Sequence, residues 1–156
     1  MFYVFRALEK IGAYDRTEEK WNIWRNMLKD NLTTCVESEP DGRSDCHAWG
    51  SLILHELPGV ILGVRPGAPG YERVEIAPVP GYLTWAKGDV ATKWGNIHVE
   101  WKKAPDGRLE LEYRVPDEIR DKQNYSRKRK GSAGKRVYVT DKEVGIFEHP
   151  ENSEAH

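Results

Sequence analysis

A chain of 156 residues with 24 Lys and Arg against 25 Asp and Glu carries a formal net charge of −1, which excludes the strong basic excess of a nucleic-acid-binding protein. Its length admits one domain or two small ones and excludes a large multi-layer catalytic body, while 38% apolar residues suffice for a core. The apolar runs stop well short of the roughly 20 residues a membrane-spanning helix needs, and MFYVFRALEK lacks the order of a secretory signal, so a soluble protein without a membrane partner is expected.

In chain order, Phe2, Tyr3, Val4, Phe5, Ala7, Leu8 and Ile11 cover nearly all sides of a helix, which predicts burial on most faces. Gly12 and the polar run through Thr17 close it. Thr17 followed by Glu18 and Glu19 reads as the start of a second helix, with acids over the positive end of its dipole. That helix carries Trp21, Trp24, Met27 and Leu28 on one stripe. Few other helices are available to cover these two. Phe2, Phe5, Leu8, Trp21 and Trp24 are therefore expected to leave an exposed apolar patch.

From Asp30 to Arg43 the text is polar and irregular, with Pro40, Asp41 and Gly42 as a turn signal. A loop of about 14 residues exceeds the two to eight usual between bundled helices, which marks it as the chemical centre. Cys35 and Cys46 read as free thiols or as a local disulfide. Neither CxxC nor HxxxH spacing is present, and His47 beside Cys46 does not complete a tetrahedral set, so no metal and no cofactor are called for. Ser44 or Asp45 is predicted to cap a third helix through His47, Trp49, Leu52, Ile53, Glu56 and Leu57 toward Gly63. Pro58 should kink or restart it.

Near residues 63–70 the apolar spacing changes from helical to alternating, and Gly and Pro accumulate. Val74 and Ile76 alternate with polar neighbours, and Leu83 opens another run. Ile97, Val99 and Trp101 point one way, and His98, Glu100 and Lys102 the other. Turns are predicted at Trp94-Gly95-Asn96 and at Pro105-Asp106-Gly107, before Leu109, Leu111, Tyr113 and Val115 repeat the alternation. Trp101 is expected in the core, and Trp94 at a hairpin tip. After Pro116 the pattern weakens and returns at Val137-Tyr138-Val139 and Val144 to Phe147. The basic tract Ser126 to Arg136 reads as a solvated loop or a polyanion contact. The last residues, 148–156, are expected to be disordered.

Within the central loop, Glu37 is the carboxylate best placed to hold a water or leaving group, against the plainer reading of a solvated acid. His47 offers an imidazole to a substrate hydroxyl and Trp49 an indole wall, or both are structural. Asp45 reads as a helix cap as readily as a site residue. Six Trp and seven Tyr in so short a chain suit either packing or a sugar-facing surface.

Five blocks carry a resemblance over residues 1 to about 101: WNIWRNML, LTTCVES, SDCHAWGS, LPGVILGVRPGAPGYERVEIAPVPG and AKGDVATKWGNIHVEW. Their order and spacing resemble the C-terminal end of bacterial glycoside hydrolase family 78, the α-L-rhamnosidases. The resemblance implies the end of an α/α toroidal catalytic domain followed by a β-sandwich. It also implies an inverting hydrolysis in which an acid protonates the leaving oxygen and a carboxylate activates water, with carboxyls roughly 6.5 to 9.5 Å apart. Glu37 corresponds to the general base. His47 and Trp49, and more weakly Asp45, correspond to the rhamnose pocket. No block matches the part that bears the acid.

The expected fold class is therefore α then β. Three helices of an incomplete toroid occupy residues 1–65, and an antiparallel sandwich occupies 66–147. The expected function is that of a C-terminal rhamnosidase piece, from a truncated or split gene, inactive alone. Its partners would be a rhamnose-containing glycoside or polysaccharide and the missing N-terminal part of the enzyme, with no nucleic acid. The alternative is a non-catalytic carbohydrate-binding or interaction module.

Overall fold

The computed structural model describes residues 1–38 and 44–119 and the backbone of Gly145–Phe147. The turn signal at Pro40 to Gly42, the basic tract Ser126 to Arg136, the segment Val137 to Val139 and the tail 148–156 lie outside the described residues.

Helix α1 spans Phe2–Lys10. Gly12 ends it with φ +71, a left-handed conformation that costs glycine little. The Gly12 and Ala13 amides then donate back to the Glu9 and Leu8 carbonyls at 3.2 and 2.9 Å, closing the helix as a Schellman turn. A three-ten helix over Tyr14–Trp21 follows and runs directly into α2, Asn22–Lys29. Thr17 thus lies inside a helical segment and is not a cap. Its buried hydroxyl donates to the Tyr14 carbonyl at 2.7 Å and accepts from Trp21 Nε1 at 3.1 Å.

Phe5 sits amid Tyr14, Trp21 and Trp24 with ring centroids 6.0, 5.6 and 5.8 Å away, each edge to face. Of the predicted patch, Phe2 is exposed and Leu8 half-buried, but the other three members are covered. Phe5, Trp21 and Trp24 bury one another, so they do not wait for further helices. The expected burial of α1 on most faces also fails, because only Phe5 is buried along it. Phe2, Val4 and Ile11 are exposed, and Tyr3 is 77% exposed. Leu28 is likewise exposed, off the stripe formed by Trp21, Trp24 and Met27.

The third helical stretch changes winding twice, with a three-ten helix over Ala48–Leu52, an α turn over Ile53–His55 and a π-helix over Glu56–Ile61. Pro58 lies in the wide π turn. A residue without an N–H is absorbed by local widening, so the stretch neither breaks nor restarts there. Neither Ser44 nor Asp45 caps it; His47 occupies the N-cap position.

Strand text begins at β1, Val64–Pro66, which pairs antiparallel with β2, Val74–Ile76. Four more strands form an antiparallel meander in chain order: β3 Trp85–Thr92, β4 Gly95–Lys103, β5 Leu109–Arg114 and β6 Gly145–Phe147. The alternation in β4 is as expected. Ile97, Val99 and Trp101 are buried, while Glu100 and Lys102 are exposed. The Trp101 indole donates to the Ile61 carbonyl at 2.8 Å, fastening sheet to helix. Lys93 and Trp94 form the two-residue β3–β4 turn, with Trp94 half-buried. The outer face carries cross-strand pairs, among them Lys87–Glu100 at 2.8 Å and Lys102–Glu110 at 3.0 Å.

One buried ionic cluster joins the helical segments. Glu56 is 0% exposed; Arg6 of α1 donates to one oxygen and the Tyr14 hydroxyl to the other, the latter at 2.5 Å. Arg6 also pairs with Glu9, and Glu9 with Arg65 of β1, whose Nε donates to the Gly59 carbonyl at 2.6 Å. Burial, and then the hydrogen bond to Glu56, raises the Tyr14 phenol far above its ordinary value of 10.0. In the unfolded chain that phenol ionises first. The unfolded state thus loses its proton where the folded state keeps it, and stability falls as pH rises above 10.0. Chemical denaturation from pH 8 to pH 11, on the order of three units, should show this decline, and Tyr14→Phe should make it shallower.

Candidate functional site

The loop after α2 is aimed by the helix end. Asn31 takes φ 55, and the Asn31 and Leu32 amides donate to the Leu28 and Met27 carbonyls at 3.3 and 2.9 Å. This Schellman turn reverses the chain with Asn in the left-handed position. Two arms then face each other. The Glu37 amide donates to the Ser44 carbonyl at 2.9 Å, and the His47 amide to the Cys35 carbonyl at 2.7 Å. The Thr34 hydroxyl adds a bond to the Asp45 carbonyl. Ser44 Oγ, rather than capping a helix, accepts from the Cys46 amide at 3.2 Å.

The arms are fastened to the helices by one glycine. The Gly50 carbonyl accepts from Trp24 Nε1 at 2.8 Å. On its other side, a Cβ added to Gly50 would lie 2.2 Å from the Val36 carbonyl oxygen and 3.1 Å from the Cys35 Cβ. Only a residue without a side chain admits that approach. Val36 turns inward and is buried, so its neighbours Cys35 and Glu37 sit at the half-buried edge.

This scaffold brings Glu37 and His47 together, with Nδ1 to Oε2 at 3.8 Å and both side chains partly open to solvent. The carboxylate can accept a proton or orient water, and a protonated imidazole beside it would form an ion pair. Asp45 is exposed, its carbonyl held by Thr34. Trp49 follows two residues after His47, in the three-ten helix, and is 68% exposed. Among the described residues, no group of three or more His, Cys, Asp or Glu is arranged to hold a metal ion, and no helix is long and apolar enough to cross a membrane. Two features escaped the sequence reading. The tight place of Gly50 has no local signal. Glu56, by contrast, is a charged residue inside the apolar run ILHELPGVIL, a placement from which a buried partner could have been inferred.

Comparison with known proteins bears on the segment that follows. Residues 63–122 match the family model described as the bacterial alpha-L-rhamnosidase C-terminal domain. A curated alpha-L-rhamnosidase of Alteromonas sp. (strain LOR) is 30% identical over 106 residues, covering 66% of this chain. The chain spans 10% of the length of that relative. No solved structure matches.

The Gly50 contact yields a direct test. Gly50→Ala should destabilise the chain by about 1–3 kcal/mol through overpacking against Val36. Trp49→Ala, at an exposed neighbour, should stay within about 0.5 kcal/mol of the parent. Urea denaturation of the two variants side by side checks both values.

Proposed function

This chain carries a C-terminal region of the bacterial alpha-L-rhamnosidase type, and on that premise we propose that it is the base-bearing end of an inverting rhamnosidase of glycoside hydrolase family 78. Glu37 is the general base that activates water. His47 beside it, with Trp49 and Asp45, lines the rhamnose pocket. The observation that carries this reading is the Glu37–His47 pair, 3.8 Å apart and open to solvent on a loop braced from both sides.

Residues 1–65 are read as the end of an α/α toroid, and 66–147 as its C-terminal sandwich. Support comes from the start of the family match at Gly63, just beyond the last helical residue, Ile61. The exposed row Phe2, Tyr3 and Val4 suits a surface that meets the preceding toroid helices, contributed by an N-terminal part of the enzyme. The substrate is a rhamnose-containing glycoside or polysaccharide.

The isolated chain is inactive on this reading, because an inverting device needs a second carboxyl to protonate the leaving oxygen. Glu56, the buried carboxylate of the helical half, is closed off from solvent and held by Arg6 and Tyr14, so it does not serve. General acid catalysis alone contributes about 10²- to 10⁴-fold, and the missing walls remove positioning as well. The purified chain should not turn over an aryl α-L-rhamnoside above the buffer rate. Turnover that Glu37→Gln abolishes would overturn the inactivity while keeping the base.

A second reading, a non-catalytic carbohydrate-binding module, draws on Trp85, 65% exposed on β3 and in register with Lys102. Its ring offers a flat apolar face for a sugar. Isothermal titration with rhamnose oligosaccharides separates the two: loss of binding in Trp85→Ala with retention in Glu37→Gln favours the module.

A further inference from the structure

The arms that carry Glu37 and His47 also carry the two cysteines, and we propose that Cys35 and Cys46 form a disulfide that staples this loop. In the structure both are thiols, with Cys35 half-buried and Cys46 exposed. The backbone bonds fix how the arms face. Glu37 meets Ser44, and counting back along both arms from that bond sets Cys35 opposite Cys46. The next bond instead runs from the His47 amide to the Cys35 carbonyl.

One arm thus holds one residue more than the other between the two bonds, as in a β-bulge, so Cys46 and His47 together oppose Cys35. Facing residues of antiparallel arms lie about 4.5–5.5 Å apart at Cα, inside the roughly 4.4–6.8 Å that a disulfide spans. Side-chain direction agrees. Cys35 and Glu37 alternate to the same face around buried Val36, and Glu37 reaches His47, so the face of Cys35 is the one toward which the bulged pair turns.

Exposed Cys46 is the entry point. Its thiolate attacks one sulfur of a small-molecule disulfide such as oxidised glutathione, forming a mixed disulfide and releasing one glutathione. The Cys35 thiolate then attacks the Cys46 sulfur and releases the second. Two protein thiols are oxidised, one oxidant disulfide is reduced to two thiols, and the two protons pass to the glutathione thiolates. The cross-link would join the arms beside the Glu37–His47 pair. It stands whether or not the rhamnosidase reading holds.

Oxidised glutathione added to the reduced 156-residue chain, followed by alkylation and trypsin digestion without reductant, tests this directly. Cleavage after Lys29, Arg43 and Arg73 puts Cys35 in peptide 30–43 and Cys46 in peptide 44–73. From chain that migrates as monomer, the two peptides should appear as one species lighter than their sum by two hydrogens. Cys46→Ser should yield no linked species. Recovery of Cys46 as a stable glutathione adduct with Cys35 alkylated, or linkage only between two chains, overturns the proposal.

Discussion

The carboxylate of Glu56 has no access to water, and two neighbouring N-terminal segments, 50 and 42 positions away in sequence, converge to satisfy it. Arg6 comes from α1, the Tyr14 hydroxyl from the three-ten helix, and Glu56 itself from the π turn. A buried ion pair contributes little net stability against a well-packed apolar replacement, yet removing one partner costs about 3–5 kcal/mol because a charge is left stranded. Such a cluster therefore fixes an arrangement more than it strengthens it. Through Glu9 and Arg65 the fixation extends to β1, so the first strand inherits its position from the same charges.

With Glu56 placed, the helical stretch from Ala48 to Ile61 is placed, and its two ends carry the rest of the molecule. At its start, Gly50 lies between the Trp24 indole and the Val36 carbonyl and holds the loop against α2. At its end, the Ile61 carbonyl receives the Trp101 indole and holds the four-stranded sheet. The mixed winding between these points follows from the demands at each end. Pro58 supplies no amide to the ladder, and a π turn accommodates it while Glu56 still faces the cluster and Val60 and Ile61 still face the core.

Legibility in the sequence tracked the range of the interaction that decides each residue. Period-two burial at Ile97, Val99 and Trp101 depends on the pleat alone, and the helix end at Gly12 on one backbone conformation; both were readable. Thr17 had the residues of a cap, but its hydroxyl went to the Tyr14 carbonyl once the segment before it became helical. Leu28 fitted the apolar stripe by spacing and is exposed, because the Phe5 cluster is complete with Trp21, Trp24 and Tyr14. For the candidate site, Glu37 and His47 were legible as residues of one loop. Their approach was not, since it depends on an extra residue in one arm and on a glycine whose partners lie 14 and 26 positions away.

That dependence bears on what a single carboxylate can accomplish. On the rhamnosidase reading, Glu37 must hold water at an angle set by the sugar, and a loop carboxylate keeps such an angle only if its backbone is fixed. Here the backbone amide of Glu37 is bonded across to Ser44, and the preceding residue is pinned by Gly50. On that proposal the carboxylate is oriented by this chain's own contacts, whereas a sugar would meet, among the described residues of the loop, His47, Asp45 and the exposed face of Trp49. Orientation of both reactants accounts for roughly 7–11 kcal/mol in well-arranged reactions, and fixing one of them alone recovers little of it. If Glu37 is the base, a braced carboxylate beside a surface this open is the arrangement expected of a half-site. Its rigidity becomes catalytically useful only when other walls fix the glycoside against it.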